Sequence, residues 1–329
     1  MEKIKLLTMA ALATAVFASC SNEDGLPQSN YPADNVVRIT TSVDGMNTRA
    51  SYGNSTAKLS SFGFCINNAG SDKYTYDNIK VTQEGSNWNP ATQMLWQNST
   101  TAVDILAYAP YQETTEDASG KVKVFGKTDY AFSVKEDQSN AEDYSSDLIV
   151  YKQTGFKPGT ELNTSKAVDV TFTHLLSQLN LTIELRDQFN QDEKKPVTSA
   201  TVTDVKVDGT FIRSKVNFAA DPISVLRDGQ ASAAITPETV AFKKADKTTD
   251  HATFKYSAIV IPQKVIAGQL CIKFKVDGTD YIWTGTSDVE FVSGKKYDLL
   301  LLVGKDVVQG SVITARPWGE ETIIEKETD

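Results

Sequence analysis

Histidine, cysteine and long apolar runs are scarce in this chain, and each scarcity removes a class of function. Only two histidines, His174 and His251, and three cysteines, Cys20, Cys65 and Cys271, occur among 329 residues. There is no CxxC pair, no HExxH and no metal-ligand spacing, so no metal is expected. Phosphate-binding glycine loops, dinucleotide glycine patterns and the nucleophile elbow are also missing, which leaves no cofactor and no enzymatic reaction to assign. Among 42 acidic residues a glycosidase-like carboxylate pair can always be drawn, but the sequence gives no pair a privileged position. His174, in Thr173-His174-Leu175-Leu176, has apolar neighbours and reads as packed structure; His251 follows Asp250 in a polar loop. The net charge of −9, with no basic stripe, argues against a nucleic-acid partner.

The one charge-free apolar run of note is Leu6 to Phe17, too short to cross a hydrocarbon core of about 30 Å as a helix. Lys3 and Lys5 precede it and Phe17-Ala18-Ser19-Cys20 follows, the order of a lipoprotein export signal. Residues 1–19 are therefore expected to be removed and Cys20 to carry lipid, which makes an acylated membrane anchor. The polar stretch that follows predicts a flexible tether over residues 20–35. Cys65 and Cys271 lie far apart in sequence; a bridge is open to them in an oxidising compartment, but two packed thiols are expected.

Helical periodicity is nearly absent, and alternation with period two recurs instead. Val37, Ile39, Thr41 and Val43 share one face of a first strand, spanning about Val36 to Val43. Phe62, Phe64 and Ile66 continue the pattern, as do Val103, Ile105 and Ala107 before Tyr108-Ala109-Pro110-Tyr111, and then Tyr130, Phe132 and Val134. Leu148 to Tyr151 is a short run expected to be buried on both faces. Val168, Val170 and Phe172, then Leu179 to Leu185, open a second series. Asp208-Gly209 and Asp277-Gly278 predict hairpin turns, because such pairs adopt positive φ at low cost. The fold class is all-β, built of sandwiches. Gln153 to Ser165, containing Pro158-Gly159, marks the expected boundary between an N-terminal domain over residues 36–165 and a C-terminal domain over 166–329. The second ends in a charged tail. Val307 to Ala315 reads as a last core strand or part of a donor arm.

Several of these segments together resemble the fimbrillin family, the subunits and accessory proteins of type V pili. The resemblance is carried by Val37-Arg38-Ile39-Thr40-Thr41-Ser42-Val43 with Asn47-Thr48-Arg49-Ala50, by Ser61-Phe62-Gly63-Phe64, and by Ala107-Tyr108-Ala109-Pro110-Tyr111. It continues in Asp147-Leu148-Ile149-Val150, in Val170-Thr171-Phe172-Thr173-His174-Leu175-Leu176-Ser177-Gln178-Leu179, in Phe291 to Leu299 and in Trp318. It implies two transthyretin-like β-sandwich domains in tandem. It also implies a protein exported to the cell surface, with Ser21-Asn22-Glu23-Asp24 as the signal for the outer face of the outer membrane. An arginine-specific protease would cut after Arg49, releasing the first strand, and a strand from another pilus subunit would replace it. Arg38, inside the alternation, is expected to be shielded from that cut.

Four tryptophans support a different reading, a surface lipoprotein that binds glycans and does not polymerise. Trp88 and Trp96 flank Asn89-Pro90 and are its candidate sugar contacts, whereas Trp283, on a strand after Tyr281-Ile282, is expected in the core. Host or bacterial surface receptors are partners under either reading.

Overall fold

The computed structural model describes residues 30–43, 58–113, 124–189, 196–229, 232–245 and 250–318. Among these the chain is nearly all β, with a single turn of α-helix at Pro158–Glu161 that places proline at its start, where a missing N–H costs nothing.

The largest unit is a seven-stranded sheet. In spatial order it holds β1 (Ile39–Val43), β8 (Val168–His174), β7 (Ile149–Phe156), β5 (Val103–Ala109), β2 (Ser61–Asn67), β3 (Tyr76–Glu84) and β4 (Asn87–Pro90). Its central strands, β2 and β5, are buried on both faces. From β5, Ile105, Ala107 and Ala109 enter one core while Leu106 and Tyr108 enter another. From β2, Phe62, Phe64 and Ile66 enter the first core and Cys65 the second. The first core is enclosed because the sheet curls: β1 and β4 come near each other, and Val36 bridges to Leu95 just beyond β4.

The second core runs under the rest of the molecule. One sheet holds β13 (Glu238–Lys243), β14 (Ala252–Val260), β9 (Ser177–Leu185), β19 (Lys295–Val303) and β20 (Val308–Gly310), with β21 (Thr314–Pro317) also on β19. Another holds β10 (Val202–Asp208), β16 (Cys271–Val276) and β17 (Thr279–Thr284). Two smaller pieces pair β12 (Ser224–Arg227), β11 (Arg213–Asn217) and β6 (Tyr130–Ser133), and β15 (Gln263–Val265) with β18 (Val289–Phe291). Alternation decides the facing: Leu179, Leu181, Ile183 and Leu185 of β9 are buried, while Asn180, Thr182 and Glu184 between them are half-buried.

Sheet membership crosses residue 165 in both directions. β8 lies beyond that position yet joins the sheet of the N-terminal segments, and β6 lies before it yet pairs with β11. Tyr108 packs against Tyr130 and Phe218, with ring centroids 5.6 and 5.8 Å away, so aromatic contacts tie the two halves together. The Asp277-Gly278 turn joins β16 to β17 with φ of 50° and 83°, as its sequence predicts. Asp208-Gly209 behaves differently. Its glycine is at φ 89°, but the chain passes from β10 to β11 in another sheet instead of folding into a hairpin. Cys65 is buried and Cys271 half-buried, and both are free thiols.

Candidate functional site at the first strand

β1 occupies the edge of the seven-stranded sheet and runs parallel to β8, with Ile39 opposite Val168 and Val43 opposite Phe172. Val37, Ile39 and Val43 are buried in the first core beside Val168, Val170 and Phe172. Thr41 is half-buried and its hydroxyl oxygen is enclosed without a hydrogen-bond partner, a local cost within an otherwise apolar seat. On the opposite face Ser42 Oγ donates to Thr171 Oγ1 at 3.0 Å, and Asn163 Nδ2 donates to Thr40 Oγ1 at 2.9 Å.

The strand is gripped from its other side at its start. Val37 N–H donates to the Met94 carbonyl at 3.0 Å, and Trp96 N–H donates to the Asn35 carbonyl at 2.8 Å. The residues leading into β1, 35–38, therefore lie between β8 and the 94–96 segment, while β1 itself is paired on one side only. Asn30 to Asn35, expected to belong to the flexible tether, are docked instead: Asn30 Nδ2 donates to the Leu162 carbonyl at 2.9 Å and Tyr31 packs on the first core. The physical reason is that a tyrosine ring beside an apolar core gains more from burial than a solvated linker would.

Arg38 also departs from expectation. Its backbone carbonyl accepts from Val168 N–H at 2.8 Å, but its side chain is exposed and paired with Asp34 at 2.6 Å. Alternation dictates this, since its neighbours Val37 and Ile39 point inward. The Arg38 guanidinium, helped by the Val36 N–H, holds the Asp34 carboxyl down to about 2. At Arg38 it is thus the backbone that is engaged, while the side chain is open to solvent.

The candidate sugar contacts fare unequally. Trp96 is 2% exposed and stacks on Phe156 with centroids 5.7 Å apart, so it is a wall of the first core and not a surface platform. Trp88 is half-buried with its ring edge-on to Phe62 at 5.1 Å. His174 is buried, its Nδ1 3.0 Å from Asp147 Oδ1 and its ring stacked 3.9 Å from that of Trp318, which is the packed role expected of it. His251 sits between Glu184 and Asp187. Cys20, Ser21, Asn22, Glu23, Asp24 and Arg49 lie outside the described residues. Among the described residues no group of three or more His, Cys, Asp or Glu is placed to hold a metal, and no helix is long and apolar enough to cross a membrane.

The chain's reading missed the segment on the other side of residues 35–38, Met94 to Trp96. Met94-Leu95-Trp96 offered a signal, a short apolar group after Asn89-Pro90, but it alternates over too few residues to be recognised as a strand partner.

Solved structures of two putative cell adhesion proteins share this architecture. A putative cell adhesion protein from Bacteroides ovatus superposes with a TM-score of 0.62 at 13% identity, covering 88% of this chain and 100% of that one. A putative cell adhesion protein from Bacteroides uniformis gives 0.56 at 20% identity, covering 87% and 99%. At such identities the likeness concerns the fold. No curated protein matches the sequence closely enough to count as a relative. The model of the family described as fimbrillin-like matches residues 48–318, beginning just after β1 and ending at Trp318. That span takes in the second core, the first core apart from Val37, Ile39, Val43 and the Tyr31 packed on it, and all but the first of the strands described, and the chain belongs to the fimbrillin-like family.

Proposed function

We propose that this protein is a non-enzymatic, adhesive pilus subunit, displayed on the cell surface as a lipoprotein and assembled by exchange of its first strand. The observation that carries the reading is β1 itself. It is an edge strand, paired on one side only with β8 and seated by buried side chains against the rest of the first core, which supports the reading that it can be exchanged. It also lies N-terminal to the span shared with the family. Taking it away leaves Val168, Val170, Phe172, Met94 and Trp96 facing an open slot with an unpaired β8 edge, the condition that favours addition of a strand from another subunit.

In this reading the lipid on Cys20 anchors the precursor in the outer membrane, Ser21 to Asp24 direct it outward, and cleavage after Arg49 frees β1. A shaft role and a tip or accessory role both use this slot, and they differ in whether the chain also donates a strand. The test uses mature protein from native cells. Mass spectrometry of its N-terminus is expected to find acylated Cys20 before cleavage and Ala50 after it. Treatment with an arginine-specific protease should then convert monomers into concentration-dependent oligomers by light scattering. Cut protein that stays monomeric would refute strand exchange, and an N-terminus other than Cys20 or Ala50 would refute the processing scheme.

A further inference from the structure

A groove on the far side of the molecule is shaped for a ligand. It lies between β17 and β20, the open edges of two different sheets, and encloses about 790 Å³, within the range of about 300–1,000 Å³ typical of small-molecule sites. Its floor is apolar, from Leu300 and Leu302 of β19, and Ile282 and Val312 stand exposed on it at 56% and 83%.

Its distinguishing element is Trp283. The sequence places this residue in the core, but it is only half-buried, and it lines the groove. The indole rests on two glycines. A Cβ at Gly310 would lie 2.1 Å from its Nε1, and one at Gly285 would lie 3.3 Å from its outer ring edge. Any larger residue at Gly310 would unseat it. A partly exposed tryptophan in a fitted seat is a rigid aromatic surface whose conformational cost is met before a ligand arrives.

The polar groups around it are neutral or acidic. Thr286, Ser287, Gln309 and Glu290 are exposed along the lining, and no lysine or arginine lines the groove. The other lining carboxylate, Asp288, is already engaged by Lys264 at 2.8 Å and by the Ala267 N–H at 2.9 Å. Gln309 and Glu290, the latter opposite Lys264 in the β15–β18 register, offer the remaining acceptors, and hydroxyl-bearing ligands supply donors to match.

An extended peptide fits less well. β20 ends at Gly310, and beyond it Ser311 stays bonded to β19: its N–H donates to the Leu300 carbonyl at 2.8 Å, and its hydroxyl, in place of its carbonyl, accepts from Leu300 N–H at 3.1 Å. Trp283 also reaches across from β17 to Gly310, so no uninterrupted ladder can form along the slot.

We propose that the groove between β17 and β20 binds a short neutral saccharide, stacked on the Trp283 indole and hydrogen-bonded by Glu290 and Gln309. Sugar rings present the combination this lining matches: an apolar C–H face for the indole and hydroxyls for carboxylate and amide. The absence of lysine and arginine from the lining, with two carboxylates present, disfavours sialylated or sulfated glycans. The assignment rests on the adhesive reading above for its setting, but the groove shares no residue with β1, so either can fail while the other stands.

The test is a titration of the mature full-length protein with lactose, N-acetyllactosamine, maltotriose, chitotriose, mannotriose and sialyllactose, followed by saturation-transfer NMR. At least one neutral member should bind at millimolar concentration or below, with transfer to the sugar's C–H face, while sialyllactose does not. Trp283→Ala should weaken binding about tenfold or more, and the surface variant Glu290→Gln, which leaves the indole seat intact, should weaken it as well. Trp88→Ala should bind like the parent. No neutral sugar bound, a preference for sialyllactose, binding unchanged in Glu290→Gln, or displacement of the sugar by an extended apolar peptide would each overturn the assignment. Protease-triggered oligomerisation proceeds or fails independently of all these outcomes.

Discussion

Replacing Ile39 by alanine tests directly whether β1 is held by its apolar seat. Ile39 is 7% exposed in the first core and stands opposite Val168 in the parallel register. Truncating a buried isoleucine to alanine costs about 2–5 kcal/mol, through lost transfer energy and the cavity left behind. An edge strand can shift inward to close part of that cavity, which sets the expected loss at about 2–3 kcal/mol. With a denaturant slope of about 3 kcal/mol/M in urea, the midpoint should fall by about 0.7–1 M. The companion variant Arg38→Ala removes an exposed ion pair one residue away and should leave the midpoint almost unmoved, because exposed pairs contribute little. Hydrogen exchange adds the local readout: the Val168 amide, which donates to the Arg38 carbonyl, should lose protection in Ile39→Ala while β14 amides keep theirs. Equal midpoints for Ile39→Ala and the parent, or equal protection at Val168, would show that β1 is not anchored by burial. The removable-strand argument would then lose its energetic basis.

Two further outcomes follow from packing and charge. Gly63→Ala should destabilise the protein by about 1–3 kcal/mol in the same urea assay, because the added Cβ would sit 2.3 Å from Tyr108 Cε1, in a ring fixed by its hydroxyl donating to Asn78 Oδ1 at 2.6 Å. Lys296 is 2% exposed beneath the Trp318 ring, and burial, with Arg316 nearby, pushes its ammonium down to about 8. Between pH 8 and about 10.5 the unfolded chain then holds a proton that the folded chain has released, so this group makes stability rise with pH across that window. Replacing it in Lys296→Met should abolish that rise in a pH series of thermal melts, and an unchanged slope would contradict the burial argument.

The strands themselves were legible because alternation is a local signal. Val37, Ile39 and Val43, then Val168, Val170 and Phe172, and Leu179, Leu181, Ile183 and Leu185 all point inward as their spacing predicts. Which strands share a sheet was not legible. β8 joins β1 across more than a hundred residues, and β6 crosses to β11, because pairing over that distance is decided by how the cores pack and not by any residue pattern nearby. The turn dipeptides show the same boundary. Asp277-Gly278 makes its hairpin since β16 and β17 pair with each other, whereas Asp208-Gly209, equally able to turn, joins strands of different sheets. The exposure of the tryptophans was illegible for a related reason, although Trp283 does pack against the second core. Exposure depends on what lies across from a ring: Trp96 meets Phe156 and disappears, while Trp283 meets a glycine and stays partly uncovered.

The direction of two pairings bears on how such a molecule would carry tension. β1 and β8 run the same way, and β8 passes through the short elbow at Leu175 and Leu176 into β9, which in turn runs parallel to β19. A pull along whatever strand occupies the first position loads those ladders lengthwise, so their hydrogen bonds resist together instead of parting one after another. The same pull passes through continuous backbone into the middle of the second sheet, and a load applied at one edge is shared by both cores.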